Sequence, residues 1–145
     1  MTELKKLIEM AKEYAIKNNW EVIDKKIIPE ILKYDHFQVA DYLAYLFNDE
    51  SGDVRDLAGT ITAELEMDNL PYEKREEIKS FIQKGIKDPH PYARFRSTVA
   101  AIKHNMYDSK DLELMRETLE SIEKNEEDET IKALASNSLK KLSKK

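Results

Sequence analysis

Pro91-Tyr92-Ala93-Arg94-Phe95-Arg96-Ser97 decides the fold, because the chain repeats it in outline twice more. The other copies are Asp53-Val54-Arg55-Asp56-Leu57-Ala58 and Thr130-Ile131-Lys132-Ala133-Leu134-Ala135. Each stretch follows an acidic or proline-marked turn and opens an amphipathic run. With Val54-Arg55, Ala93-Arg94 and Ile131-Lys132 aligned, the copies lie 39 and 38 residues apart. A period of that length with two helices in each marks a helical solenoid, where each pair hides one face and its neighbour covers the other.

Outward from these stretches, the apolar residues recur at helical spacing through the whole chain. Leu4, Leu7, Ile8, Ala11 and Ala15 give a first helix from Thr2 to Lys17, and Val22, Ile23, Ile27 and Ile31 a second from Glu21 to Lys33. Pro29 falls inside the second and predicts a kink or a restart there. A third helix runs from His36 to Phe47 behind Asp35, and a fourth from Asp53 to Met67. A fifth begins near Pro71 and continues to Ile86. The sixth follows Asp88-Pro89-His90-Pro91 with Tyr92, Phe95, Val99, Ile102 and Met106 in one row. The seventh starts after Ser109 and the eighth near Asp128. Short linkers force neighbouring helices antiparallel. The expected fold is therefore all-α, an alpha-alpha superhelix of about eight antiparallel helices. It forms one domain over residues 1–145, in about four helical pairs at 1–33, 36–67, 71–106 and 109–143. Trp20 is expected to pack between the first two helices.

Composition narrows the function. The formal net charge is −5, which argues against a dedicated duplex-binding protein, since such proteins carry a basic excess or face. There is no Cys, so disulfides and Cys-based zinc sites are excluded. Met1-Thr2-Glu3-Leu4-Lys5-Lys6-Leu7 lacks the apolar core of a signal peptide, and no run approaches a membrane span. A cytoplasmic protein is expected. The abundance of Lys and Glu without Cys leans toward a thermophilic composition.

The turn-plus-helix pattern resembles the HEAT repeat, in particular the short HEAT-like repeats of prokaryotic and archaeal proteins. Asp88-Pro89-His90-Pro91-Tyr92-Ala93-Arg94 carries the resemblance best. Asp49 through Val54-Arg55 follows it without the prolines, and Glu126 through Ile131-Lys132 with Lys for Arg. Asp35-His36-Phe37-Gln38-Val39 is a partial copy, but Val39 lies 15 residues before Val54 and is out of phase. The resemblance implies that Asp49, Arg55, Asp88, Arg94 and Lys132 form a structural ladder, in which the basic residue bonds to its turn and to the neighbouring repeat. It also implies a non-catalytic scaffold that binds a protein partner.

No constellation in the sequence points to catalysis, a metal or a cofactor. His36, His90 and His104 are the only histidines and share no helix turn, and the His-Glu pair of HEAT-repeat metal hydroxylases is missing. Tyr42, Tyr45, Tyr92, Arg96 and Lys103 are the candidate partner-contacting residues, since amphipathic aromatics and Arg are enriched at hot spots. The alternative function is nucleic-acid binding through the basic residues of the sixth helix, as in HEAT-like DNA glycosylases. Its discriminator is a continuous basic groove rather than a mix of charges. Glu3, Lys6, Glu9 and Lys12 on the first helix, and Ser136, Asn137, Lys140 and Lys141 on the eighth, are expected to cap the ends and favour a monomer over a homodimer. Lys144 and Lys145 are expected to balance the dipole at the last helix end.

Overall fold

A computed structural model of the chain describes residues 2–143, so the expectation for Lys144 and Lys145 lies outside the described residues. Among the described residues every regular element is helical. The eight helices are α1 (Glu3–Ile16), α2 (residues 20–31), α3 (residues 36–47), α4 (Gly52–Glu64), α5 (Tyr72–Gly85), α6 (Pro91–His104), α7 (Leu112–Asn125) and α8 (Glu129–Ser143). Helix α1 begins where the Thr2 hydroxyl accepts the Lys5 N–H at 3.1 Å, and it buries Leu4, Ile8, Ala11 and Ala15 on one stripe. It ends at Asn18, whose φ of 58° reverses the chain into α2.

Three segments depart from the sequence reading, and the helix breaks at Pro29 as expected. The Pro29 break takes the form of a π turn over Ile23–Ile27, closed by Ile28 N–H on Ile23 O. Widening the helix one turn ahead accommodates a proline that has no N–H and whose ring crowds the preceding carbonyls. The expected single helix three is two pieces, His36–Ala40 and Leu43–Phe47, because Tyr42 N–H bonds to Val39 O, three residues back. Helix α4 stops at Glu64 rather than Met67. The Glu66 N–H is taken by His36 Nδ1 at 2.9 Å, and the chain drops into a 3-10 turn at Met67–Asn69 that still buries Leu65, Met67 and Leu70. Helix α6 begins one residue early, at Pro91, with His90 Nδ1 accepting the Ala93 N–H. It closes at Asn105, in the left-handed region at φ 55°, so Met106 lies beyond it, bonded from its N–H to Ala101 O.

The core is organised around α4 and α6, which share the most extensive helix contact in the molecule. All residues from Asp56 to Ala63 in α4, and from Ser97 to Ile102 in α6, are buried. A helix apolar on every side has to be surrounded. Helix α4 is covered by α1 and α3, and α6 by α5, α7 and α8. The α4–α6 approach is close because of Gly59. A Cβ there would stand 2.8 Å from Arg96 Cβ and 3.1 Å from the Ser97 nitrogen. Gly85 of α5 makes the matching space for Ser97 on the other side of α6. Phe47 of α3 stacks on Phe81 of α5 with ring centroids 5.4 Å apart. Trp20 sits partly buried against the core at the start of α2.

The two expected end caps are only partly free. Lys12 turns inward to Asp49 at 3.0 Å, and Ser136 donates to Glu123 at 2.5 Å, because each finds a carboxylate on a neighbouring element. Glu3, Lys6, Asn137 and Lys140 remain exposed.

In an unobstructed helix, Gly→Ala adds about 1 kcal/mol. Gly59→Ala is expected to do the reverse and destabilise by about 1–3 kcal/mol, since the new methyl meets backbone and a Cβ that cannot swing away. A rise in the urea midpoint of that variant would show that α4 and α6 are not this close.

Candidate functional site

The three turns that precede α4, α6 and α8 share one local bond. Asp49 Oδ1 accepts the Ser51 N–H at 2.9 Å, Asp88 Oδ1 the His90 N–H at 2.9 Å, and Glu126 Oε1 the Asp128 N–H at 3.2 Å. In each, a carboxylate pins the backbone two residues on. Six residues after each stands the basic side chain of the repeat. Arg55 Nη1 donates back to Asp49 O at 2.9 Å, and Arg94 Nη1 to Asp88 O at 2.8 Å.

Arg55 also crosses to the next turn. Its Nε and Nη2 fork onto the Asp88 carboxylate at 2.8 and 3.1 Å, the bidentate geometry that guanidinium supplies and ammonium does not. Burial alone would raise Asp88, but the Arg55 fork and the His90 N–H outweigh it and hold the carboxyl below its usual range. Upstream, Lys12 of α1 pairs with Asp49 at 3.0 Å. Burial also works against Asp49, and the Ser51 N–H and Lys12 together still lower it. Downstream the series thins. Arg94 forms no ion pair among the described residues, and the Tyr92 hydroxyl instead donates to Glu126, which pushes the phenol up to about 12. Lys132 makes no side-chain hydrogen bond or ion pair among the described residues.

A groove of about 220 Å³ opens where α4, α6 and α8 meet. Ala63, Val99, Ile102 and Leu134 line it, with Arg96, Lys103, Lys141 and Glu64 around them. Two of the candidate partner-contacting residues, Arg96 and Lys103, therefore share this site. The tyrosines do not join them there. Tyr45 bridges α1 and α3, donating to Glu9 at 2.7 Å and accepting from Lys12 at 2.8 Å. Tyr42 packs partly buried against the core, and Tyr92 stands at the turn before α8.

The sequence reading gave no role to Asp56. It is 5% exposed, and its Oδ1 lies 3.4 Å from Arg96 Nε and 3.4 Å from the Thr60 hydroxyl. Burial raises the carboxyl to about 6 against the pull of Arg96 and Thr60. The signal was available: Leu57-Ala58-Gly59-Thr60-Ile61-Thr62-Ala63 carries no charge, so the helix is buried all round and a carboxylate beside it is buried too. Lys141, assigned by sequence to the end of the chain, belongs to the groove.

The histidines are structural in their contacts. His36 and His90 lie at turns, and His104 donates to Thr62 O at 2.8 Å, its pKa lowered by burial. Among the described residues no group of three His, Cys, Asp or Glu is placed to hold a metal ion, and no helix is long and apolar enough to cross a membrane. Compared with family models, curated proteins and solved structures, the chain matches none.

Arg55→Ala strips Asp88 of its guanidinium and is expected to destabilise by about 2 kcal/mol, a partly exposed pair being worth less than a fully buried one. Lys132→Ala, at the same repeat position, is expected to shift stability by less than about 1 kcal/mol. Equal effects in denaturant melts would refute the difference between the rungs.

Asp56 is protonated more readily folded than unfolded, so between pH 6 and its unfolded value near 4 the folded state binds the extra proton. Its contribution is unfavourable above pH 6 and is relieved as pH falls. Asp56→Asn is expected to gain about 1–3 kcal/mol at pH 7.5 and nothing near pH 4. His104 has the opposite sign, losing stability as pH falls below about 6.5, so the difference between the variant and the parent isolates Asp56. A variant less stable than the parent at pH 7.5 would mean that the Arg96 pairing outweighs burial.

Proposed function

We propose that the chain is a short HEAT-like solenoid, in the alpha-alpha superhelix arrangement, that acts as a non-catalytic protein-interaction module in the cytoplasm. The observation that carries this is the three-fold recurrence of the same turn. A carboxylate binds the N–H two residues on, and a basic residue follows six positions later, at the 39- and 38-residue period of the sequence. Such recurrence is the signature of stacked helical pairs, and stacks of this kind present their inner helices to other macromolecules. Helices α4, α6 and α8 are the second helices of the three pairs and together line the groove.

The charges around the groove favour a protein over a nucleic acid. Arg96 is paired with Asp56 and Lys103 stands 3.8 Å from Glu64, so the face is a mix of signs rather than a continuous basic track. Phosphate tracking needs several uncompensated cations in a row. The exposed Glu3 and Lys6 of α1 and Lys140 of α8 fit a monomer, since solenoid ends have to be polar or covered.

Photo-reactive residues placed at Lys103 and at Glu76, on the exposed face of α5, test the reading in the cells that make the protein. Discrete protein adducts at Lys103 and few at Glu76 are expected. Nucleic-acid adducts, or equal labelling at both positions, would overturn it.

A further inference from the structure

We infer that the groove between α4, α6 and α8 takes a single apolar side chain from a protein segment whose neighbouring residues are acidic. The inference rests on reading the chain as a protein-interaction module and names the chemistry of the partner. Its first ground is size and lining. The space is about 220 Å³, and its uncharged lining is Ala63, Val99, Ile102 and Leu134 together with Thr60, Asn137 and Ser138. That room suits one leucine- or phenylalanine-sized side chain and not a helix laid along its length. An apolar anchor entering it releases water from both surfaces, which is the usual centre of a hot spot.

The second ground is charge. Three basic residues and one acidic residue surround this lining, on a chain whose net charge is −5. The cations are not equally committed. Arg96 is drawn down to buried Asp56. Lys103 is about half exposed, and its one ion pair, with Glu64, is loose at 3.8 Å. Lys141 is exposed and has no ion pair among the described residues. Lys141, with no ion pair among the described residues, and Lys103, loosely paired with Glu64, thus flank the slot. A carboxylate next to the inserted side chain meets them, whereas a basic neighbour is repelled at a distance within the screening length of physiological salt. Asp24 of α2 also lies within electrostatic reach of Arg96 and Glu64, so Arg96 is the most compensated of the three cations. The attraction for acid is therefore centred on Lys103 and Lys141. Selectivity for acid at this site is the discriminating property.

The test uses the full chain, immobilised and panned against a random peptide library, with enriched peptides measured by fluorescence polarisation. The expected winners carry one Leu, Phe or Met flanked by Asp or Glu. Lys103→Glu and Lys141→Glu are expected to weaken them about tenfold each, and raising salt from about 0.05 to about 0.5 M to weaken them further. Asn137→Trp, an exposed residue at the groove edge, is expected to plug the slot and abolish binding while the melting temperature holds. Circular dichroism of each variant separates lost binding from lost folding. Basic or uncharged winners, winners indifferent to both lysine reversals, or no winners at all overturn the inference. If photo-adducts to protein still form at Lys103 in cells, the interaction-module reading stands and only the acidic-anchor chemistry falls. If they do not, both fall.

Discussion

The close approach of α4 and α6 is the constraint on which the rest of the structure depends. Without a Cβ at Gly59 the two helix backbones meet over Arg96 and Ser97, and Gly85 gives Ser97 room on the far side. Two helices brought so near have no outward face left. Each has to be buried all round, which Asp56 to Ala63 and Ser97 to Ile102 record. The other helices can then be ordinary amphipathic covers with one apolar stripe each, such as Leu4, Ile8, Ala11 and Ala15 on α1. The inner pair demands the cover, and the amphipathic pattern in the sequence supplies it.

A fully buried Ile or Leu contributes about 1.5–3 kcal/mol, and Ile8, Leu57, Ile61, Ile78 and Ile82 are among many completely hidden. The Arg55 fork, a partly exposed ion pair, contributes less, about 0–1 kcal/mol net, although removing Arg55 alone costs more by leaving Asp88 unpaired. It cannot hold the fold together, but it ties two turns that are 39 residues apart in the chain. A bidentate bond from Arg55 to Asp88, with the same guanidinium bonded to Asp49 O, fixes how far apart two successive turns stand. Packing brings the helices together in one register, and the ion pair adds a second link between the same turns.

Helix number and type were legible because they depend on nearest neighbours: apolar spacing, Thr2 and Asp35 as caps, and the prolines before Ala93. What was not legible depends on residues far apart in the chain. Helix α4 stops short because His36, 30 positions upstream, takes the Glu66 N–H. Tyr45 looked like a free aromatic on helix three, but Glu9 and Lys12 of α1 occupy its hydroxyl. Lys132 looked equivalent to Arg55 by position, and without the planar fork it makes no matching bond. Arg96 and Lys103 were legible as basic residues of the sixth helix, and their seven-residue spacing, about two helical turns, brings both to the groove. That Lys141 joins them follows only from how α8 lies on α6.

Asp56 shows why a charge persists in such a core. Paired ions deep in a protein are weak contributors to stability, because desolvation offsets their attraction. The raised carboxyl of Asp56 is that offset made visible. Its effect is on Arg96 instead. With Asp56 ionised beneath it, Arg96 is held against the Phe95 ring at 5.5 Å and its charge is locally balanced. Along α6 the cations then grade from Arg96, tied down by a buried acid, to Lys103, loosely met by Glu64. The polarity of the groove is thus set from inside the α4–α6 contact, and the same close packing that organises the fold also determines which charges are left to face a partner.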